Sequence, residues 1–141
     1  MKIFGTNKKA FFEYEILDKF EAGIVLTGNE VKSIRNAEIR LTGSYAIISD
    51  GKLCIINFHI TKYKFTYGNK DTDELRTRVL LVHKKELLKL VGQVATKGIT
   101  LVPLKIYSNN RGFIKLEIGV AKHKKLYDRK KELKDKDLAR E

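Results

Sequence analysis

The chain has 141 residues, the size of one domain with a tail, and 43 % of them are hydrophobic, so a core can form although Trp is absent. Lys and Arg number 29 against 17 Asp and Glu, a formal net charge of +12, and a surplus of that size points to a polyanionic partner. No apolar stretch approaches the ~20 residues of a membrane span, and the start carries no signal-like segment, so a soluble cytoplasmic protein without membrane association is expected.

In chain order, residues 1–9 are short, polar and basic and read as a flexible arm. Residues 14–27 mix apolar and acidic positions with Gly23 and Gly28 as punctuation, which predicts a strand bent at Gly23. A short amphipathic helix is predicted over 29–36, with Val31 and Ile34 on one face and Lys32 and Arg35 on a basic one. Two strands follow, 44–49 and 53–60, joined by Asp50-Gly51, a strong hairpin signal. Ile56, Phe58 and Ile60 alternate with Asn57 and His59, placing the first set inward. Cys54, the single cysteine, excludes an intrachain disulfide and is expected as a small buried hydrophobe.

Residues 62–75 lose periodicity and predict a mobile surface loop, and 78–82 a short strand. The best helix covers 84–97, with Leu87, Leu88, Val91, Val94 and Ala95 as its inward stripe and Gly98 as its stop. Val102, Leu104 and Ile106 alternate with Pro103, Lys105 and Tyr107. Ile114, Leu116, Ile118 and Val120 alternate with Phe113, Lys115, Glu117 and Gly119. These two strands are joined by a turn over 108–112, and Pro103 implies an edge or a bulge. Residues 122–141 hold nine Lys or Arg, five acids and few aliphatics. They are expected to be disordered when free and helical when bound. The pattern of many short strands and two or three peripheral helices predicts a mostly β protein: a small antiparallel barrel of the oligonucleotide-binding kind over 1–121, with a basic C-terminal tail over 122–141.

Chemistry for catalysis is missing from the pattern. His59, His83 and His123 have no metal-ligand spacing, no Gly-rich phosphate loop occurs, and Asp71, Asp73 and Glu74 lie in a loop without a frame to tune them. No enzyme activity, metal or cofactor is expected. What the chain does offer is basic residues interleaved with aromatics. Lys8 and Lys9 precede Phe11 and Phe12, while Tyr63, Phe65 and Tyr67 alternate with Lys62, Lys64 and Lys70. Lysines suit phosphates and aromatic faces can stack on bases, although Phe11 and Phe12 are read as packing on the barrel as core rather than stacking, while the loop at 62–70 suits either.

A run of motifs makes the resemblance specific. Asn7-Lys8-Lys9-Ala10, then 20–28 (FEAGIVLTG) and 30–35 (EVKSIR), resemble the opening of the small protein B family, the SsrA-binding or transfer-messenger-RNA-binding proteins. Asp50-Gly51 and 57–60 (NFHI) are similar to its next hairpin, followed by 76–81 (RTRVLL), 97–104 (KGITLVPL) and 121–130 (AKHKKLYDRK). The resemblance implies a barrel like the oligonucleotide-binding fold that binds the tRNA-like domain of transfer-messenger RNA. It further implies entry into stalled ribosomes with elongation factor Tu for trans-translation, and a tail in the messenger channel near the small-subunit decoding region.

Carried over by position, the implied RNA contacts are Asn7, Lys8, Glu21, Leu81 and Lys115; Leu81 reads equally as core. Lys32 and Arg35 join them from the basic helix face. Glu21 would recognise rather than attract, its carboxylate accepting hydrogen bonds from a base or a 2′-hydroxyl. Lys124, Lys125, Tyr127, Asp128, Arg129 and Lys130 are the implied ribosome-binding tail. This tail departs from the family at His123, where Gly is usual, and at Arg129-Lys130, which reverses the common order. Nothing in the pattern calls for more than a monomer. Charge, size and fold would also suit a ribosome-associated structural protein without a transfer-messenger RNA role.

Overall fold

The structure is a computed structural model that describes residues 1–63 and 73–124. In chain order the elements are β1 (Lys2–Thr6), α1 (Lys8–Glu13), β2 (Tyr14–Ile24), α2 (Gly28–Arg35), β3 (Ile39–Arg40), β4 (Tyr45–Ser49), β5 (Lys52–Ile56), β6 (His59–Ile60), β7 (Arg78–Leu81), α3 (Lys84–Val94), β8 (Ile99–Ser108) and β9 (Ile114–His123). Strands β8, β4, β5, β7, β2 and β9 pair in that order, and β9 returns to β8, so the antiparallel sheet closes into a ring. Closure removes most open edges, which a small all-β domain must otherwise protect. Leu53, Ile55, Phe58, Leu101, Ile106, Leu116 and Ile118 fill the interior. Strands β3 and β6 form a separate two-stranded pair.

The Asp50-Gly51 hairpin forms as the sequence predicts. Both turn residues have positive φ, 51° and 72°, the geometry that matches the twist of β4 and β5. The strand after it is shorter than 53–60. Asn57 adopts φ 59° and ends β5, so the inward phase passes from Leu53 and Ile55 to Phe58 and Ile60 across the break. Cys54 consequently points outward and is half-buried instead of buried. Pro103 takes the second of its two expected roles. It lies in a central strand at a register shift between Pro103 and Lys105 and is fully buried.

Three expectations are corrected. Residues 1–9 are not a loose arm, because β1 pairs with β8 and Asn7 caps α1. On α3 the buried position is Leu90, with Leu87 and Val94 beside it, while Leu88 and Val91 face outward. The two apolar stripes of that helix overlap, and the strand sheet selects the one that includes Leu90. The body also passes the expected boundary at 121. Lys122 and His123 pair with Glu15 and Tyr14, and the Lys124 amide donates to the Glu13 carbonyl at 2.9 Å. The rest of the tail, 125–141, and the loop 64–72 lie outside the described residues.

Helix α2 begins with a capping box: the Glu30 amide donates to Thr27 Oγ1 and the Thr27 amide to Glu30 Oε1. The same carboxylate holds two arginines. Arg78 Nε donates to Glu30 Oε2 at 2.5 Å and Arg76 Nη2 to Glu30 Oε1 at 2.6 Å. Arg78 has no exposed surface; its remaining donors reach the Phe58 carbonyl at 2.6 Å and the Glu74 carbonyl at 3.3 Å. Burial pushes the Glu30 carboxyl up, but the hydrogen bonds from Arg76, the Thr27 amide and Arg78 outweigh it and hold it below the usual carboxylate range.

Removing one partner of a buried pair strands the other charge, at a typical cost of ~3–5 kcal/mol. Arg78→Leu should therefore lower the unfolding free energy by about that amount, whereas Arg76→Ala, at a side chain 35 % exposed, should cost about 1 kcal/mol or less. Urea denaturation of the two variants checks this, and equal losses would refute the dependence on burial.

Candidate nucleic-acid interface

On the outer face of the ring, residues from four strands stand in one row. Leu81 on β7 lies opposite Gly23 on β2, Gly23 opposite Lys115 on β9, and Lys115 opposite Tyr107 on β8. In the next row Glu21 lies opposite Glu117, which lies opposite Lys105. Gly23 leaves a hollow in the first row: a Cβ there would stand 3.4 Å from the Leu81 Cβ and 3.6 Å from Lys115 Nζ. The result is a cleft of about 490 Å3 bounded by Phe20, Glu21, Leu81, His83, Glu86 and Lys115. It runs into a second cleft that shares Gly23, Leu81 and Lys115 and adds Arg35, Phe113 and Leu26.

The structure thus brings together four residues singled out by sequence. Glu21, Leu81 and Lys115 line the first cleft and Arg35 the second. Leu81 is 58 % exposed, which decides between its two readings in favour of the surface. Arg35 is held in place by its Nη2 donating to the Gly112 carbonyl at 3.2 Å. Lys8 is exposed at the first position of α1. Lys32 lies outside both clefts, its Nζ 5.1 Å above the Tyr63 ring.

Asn7 turns inward. It is 4 % exposed, its amide nitrogen donates to the Pro103 carbonyl at 2.9 Å, and its Oδ1 accepts from the Ala10 amide. Both ends of the side chain are engaged in fixing α1 against β8. Of the tail residues, Lys124 is described: its Nζ donates to the Phe11 carbonyl at 3.2 Å. Lys125, Tyr127, Asp128, Arg129 and Lys130 lie outside the described residues. Sequence reasoning missed Tyr107, His83 and Glu86. The register of the β8–β9 hairpin, which sets Tyr107 opposite Lys115, was the signal that could have found the first.

Electrostatically the face is mixed by arrangement. Glu117 is balanced by Lys19 at 3.9 Å and Lys105 at 3.7 Å. Glu21 accepts a hydrogen bond from the Tyr107 hydroxyl, which occupies Oε2 and leaves Oε1 for other donors. Lys115 makes no ion pair among the described residues. A carboxylate acceptor, a free ammonium and an apolar side chain around a small hollow can read the edge of a base or sugar and hold its phosphate. Among the described residues no group of three His, Cys, Asp or Glu side chains could hold a metal ion, and no helix is long and apolar enough to cross a membrane.

Burial raises the Tyr107 phenol well above the ordinary value of 10.0, with its hydrogen bond to Glu21 and the negative charges of Glu21 and Glu117 adding to the effect. A group whose folded pKa is raised contributes its stability in full below the unfolded value and loses it as pH rises toward the folded one. In an ultraviolet titration of the six tyrosines, one phenol should ionise after the others, and the protein should lose stability progressively above pH ~10. Glu21→Gln should bring that late phenol down without normalising it, since burial remains. A titration unchanged by Glu21→Gln would exclude the coupling.

Comparison with known proteins places this face in context. A family model described as SmpB protein matches residues 4–141. The chain is 49 % identical to the SsrA-binding protein of Sulfurihydrogenibium sp. (strain YO3AOP1) over 142 residues, covering 99 % of this chain and 91 % of that protein. It is 46 % identical to the SsrA-binding protein of Thermosipho melanesiensis, covering 99 % of this chain and 95 % of the relative. Among solved structures, a chain from "tmRNA-SmpB: a journey to the center of the bacterial ribosome" superposes with a TM-score of 0.71 at 49 % identity, covering 86 % of this chain and 85 % of that one.

Proposed function

The chain belongs to the SmpB protein family, and we propose that it binds the tRNA-like domain of transfer-messenger RNA and delivers that RNA to stalled ribosomes for trans-translation. The observation that carries the reading is the convergence of Glu21, Leu81 and Lys115 around the Gly23 hollow on one face of a protein with net charge +12. Relatives named for binding SsrA, and a related chain in a transfer-messenger RNA and ribosome setting, support it.

In this reading the residues divide by chemistry. Lys8, Arg35 and Lys115 hold phosphates, and Lys32 adds a peripheral one. Leu81 packs against a sugar or base edge. Glu21 selects: a carboxylate inside a polyanion's footprint costs attraction, so its contribution is a directed hydrogen bond from a base amino or imino group or a 2′-hydroxyl. Asn7 belongs to the contact set through the helix it caps, which sets the position of Lys8. The function is binding and delivery without covalent chemistry, carried out in the cytoplasm by a monomer. Elongation factor Tu completes the delivery complex. Lys124, Lys125, Tyr127, Asp128, Arg129 and Lys130 contact the small-subunit decoding region and the messenger channel, where residues 125–141 become helical.

Glu21→Ala should weaken binding to the tRNA-like domain by ~1–3 kcal/mol, about 5- to 150-fold, the discrimination carried by a good directed contact. Lys52→Ala, at an exposed hairpin position away from the clefts, should cost less than Glu21→Ala. Filter binding measures both, and equal effects would count against Glu21 as the selecting group.

A chain ending at Lys124 should bind isolated transfer-messenger RNA nearly as the full protein does, yet fail in peptide tagging on stalled ribosomes. The cut falls after Lys124 rather than after Ala121 because Lys122 and His123 belong to β9. Proportional loss of RNA binding and tagging would show the tail to be simply more RNA-binding surface.

A further inference from the structure

We infer that Phe113 is a stacking platform for one unpaired nucleobase of the bound RNA, set so that Arg35 and Lys115 hold the phosphates on either side of that base. The inference deepens the reading of the groove as the RNA face and rests on it. Phe113 is 61 % exposed, at the head of β9 and in the cleft that also contains Arg35, Leu81 and Lys115. A lone exposed aromatic on a loose turn would mean little. This one is held. Asn109 Oδ1 accepts from the amides of Arg111 and Phe113, both at 3.0 Å, and the Asn109 amide donates to the Phe113 carbonyl at 2.9 Å. Gly112 turns the chain at φ 81°, which L side chains rarely adopt, and its carbonyl is the one that Arg35 grips at 3.2 Å.

The backbone under the ring is therefore fixed from two sides, and half of that fixing comes from a cation at the same cleft. Pre-organisation of this kind lowers the ordering cost of a stacked complex. The chemistry of the cleft selects the ligand. Its charged lining residues among those described are Arg35 and Lys115, with no acid, and apart from Phe113 the remainder are glycine and aliphatic. A flat apolar ring in one cleft with two cations suits an unpaired base and its flanking phosphates, the combination by which single-stranded RNA is bound without reading the base edge. A protein partner would meet the same two cations and would need an acidic segment to match them. The groove then has two functions side by side. Glu21 reads an edge, and Phe113 accepts a face.

The chain has no Trp, so Phe113→Trp introduces a single indole that preserves stacking and reports on it. Its emission should be quenched as the tRNA-like domain of transfer-messenger RNA is titrated in, with affinity close to the original. Phe113→Ala and Phe113→Leu should both weaken binding about 5- to 150-fold, the range of one base–aromatic stack, and Leu should not rescue, because a face rather than apolar area is needed. Flat indole emission at saturating RNA, or Phe113→Leu binding like the unaltered protein, would overturn the proposal. If Phe113→Leu bound RNA normally and lost peptide tagging, the ring would be a protein contact, and stacking would again be excluded. Glu21→Ala, measured in parallel, separates the two levels. Weakening by Glu21→Ala with silent Phe113 variants sinks the stacking site alone, whereas no effect from either removes the groove as the RNA face.

Discussion

Arg78 is a guanidinium with no contact to solvent, and the geometry of the candidate interface depends on where its charge is answered. Its partner Glu30 lies in the first turn of α2, so the pair joins that helix to β7. The remaining donors of Arg78 reach the carbonyls of Phe58 and Glu74, tying the end of the β4–β5 hairpin to the chain entering β7. Burying this pair is costly in itself, and a well-packed apolar substitute would often be as stable. What the ion pair adds is direction, since five donors in a fixed fork accept few alternative arrangements. Arg35 ends the helix so held and Leu81 ends the strand, and both line the groove. The relation between two walls of the site is thus set by a charge pair inside the molecule.

Within the groove, the acid is tolerable because its surroundings have been arranged. Glu21 stands opposite another acid, Glu117, which on a bare strand would be destabilising. Lys19 and Lys105 absorb the charge of Glu117, and the neutral phenol of Tyr107 takes one oxygen of Glu21. The second oxygen remains as an acceptor. Lys115, which makes no ion pair among the described residues, is the cation that the proposed function assigns to phosphate. In the proposed function attraction and selection fall to different residues of one cleft, so that one can be altered without abolishing the other.

The elements that sequence made legible are those whose cause is local. Asp50-Gly51 specifies its hairpin through two positive-φ positions, and the strict alternation from Ile114 to Val120 specifies β9 and its polar face. The elements it hid depend on distant partners. Strand β1 contains Gly5 and a bulge and exists because residues 105–108 of β8 offer it an edge. Helix α1 spans six residues, too few for a period, and stands on the Asn7 cap and its bond to Pro103. Arg78 looks like the polar start of a strand, and no neighbouring residue reveals that Glu30, 48 positions earlier, will bury it. At the site, family resemblance located Glu21, Leu81 and Lys115, but the hollow between them required the register across β7, β2 and β9. That register is also what brought Tyr107 and Phe113 into the same face.

The β2–β9 ribbon places the groove and the departure of the tail at opposite ends. Gly23 pairs with Lys115 at one end and Tyr14 with His123 at the other. The seven steps from Tyr14 to Glu21 span roughly 23 Å at the usual rise of a strand. At the far end the root of the tail is fastened three ways. His123 packs edge-on against Tyr14, the Lys124 amide bonds to Glu13, and its Nζ bonds to Phe11. Two of those acceptors are on α1, whose cap by Asn7 is anchored to β8. The usual family glycine would leave this junction free to swivel, whereas His123 gives it a ring to pack. A pull on the residues beyond Lys124 is therefore taken up by α1 and the end of the ribbon, some seven residues away from the groove. The β2–β9 pair thus separates the groove from the end at which α1, with Lys8, and the root of the tail are joined.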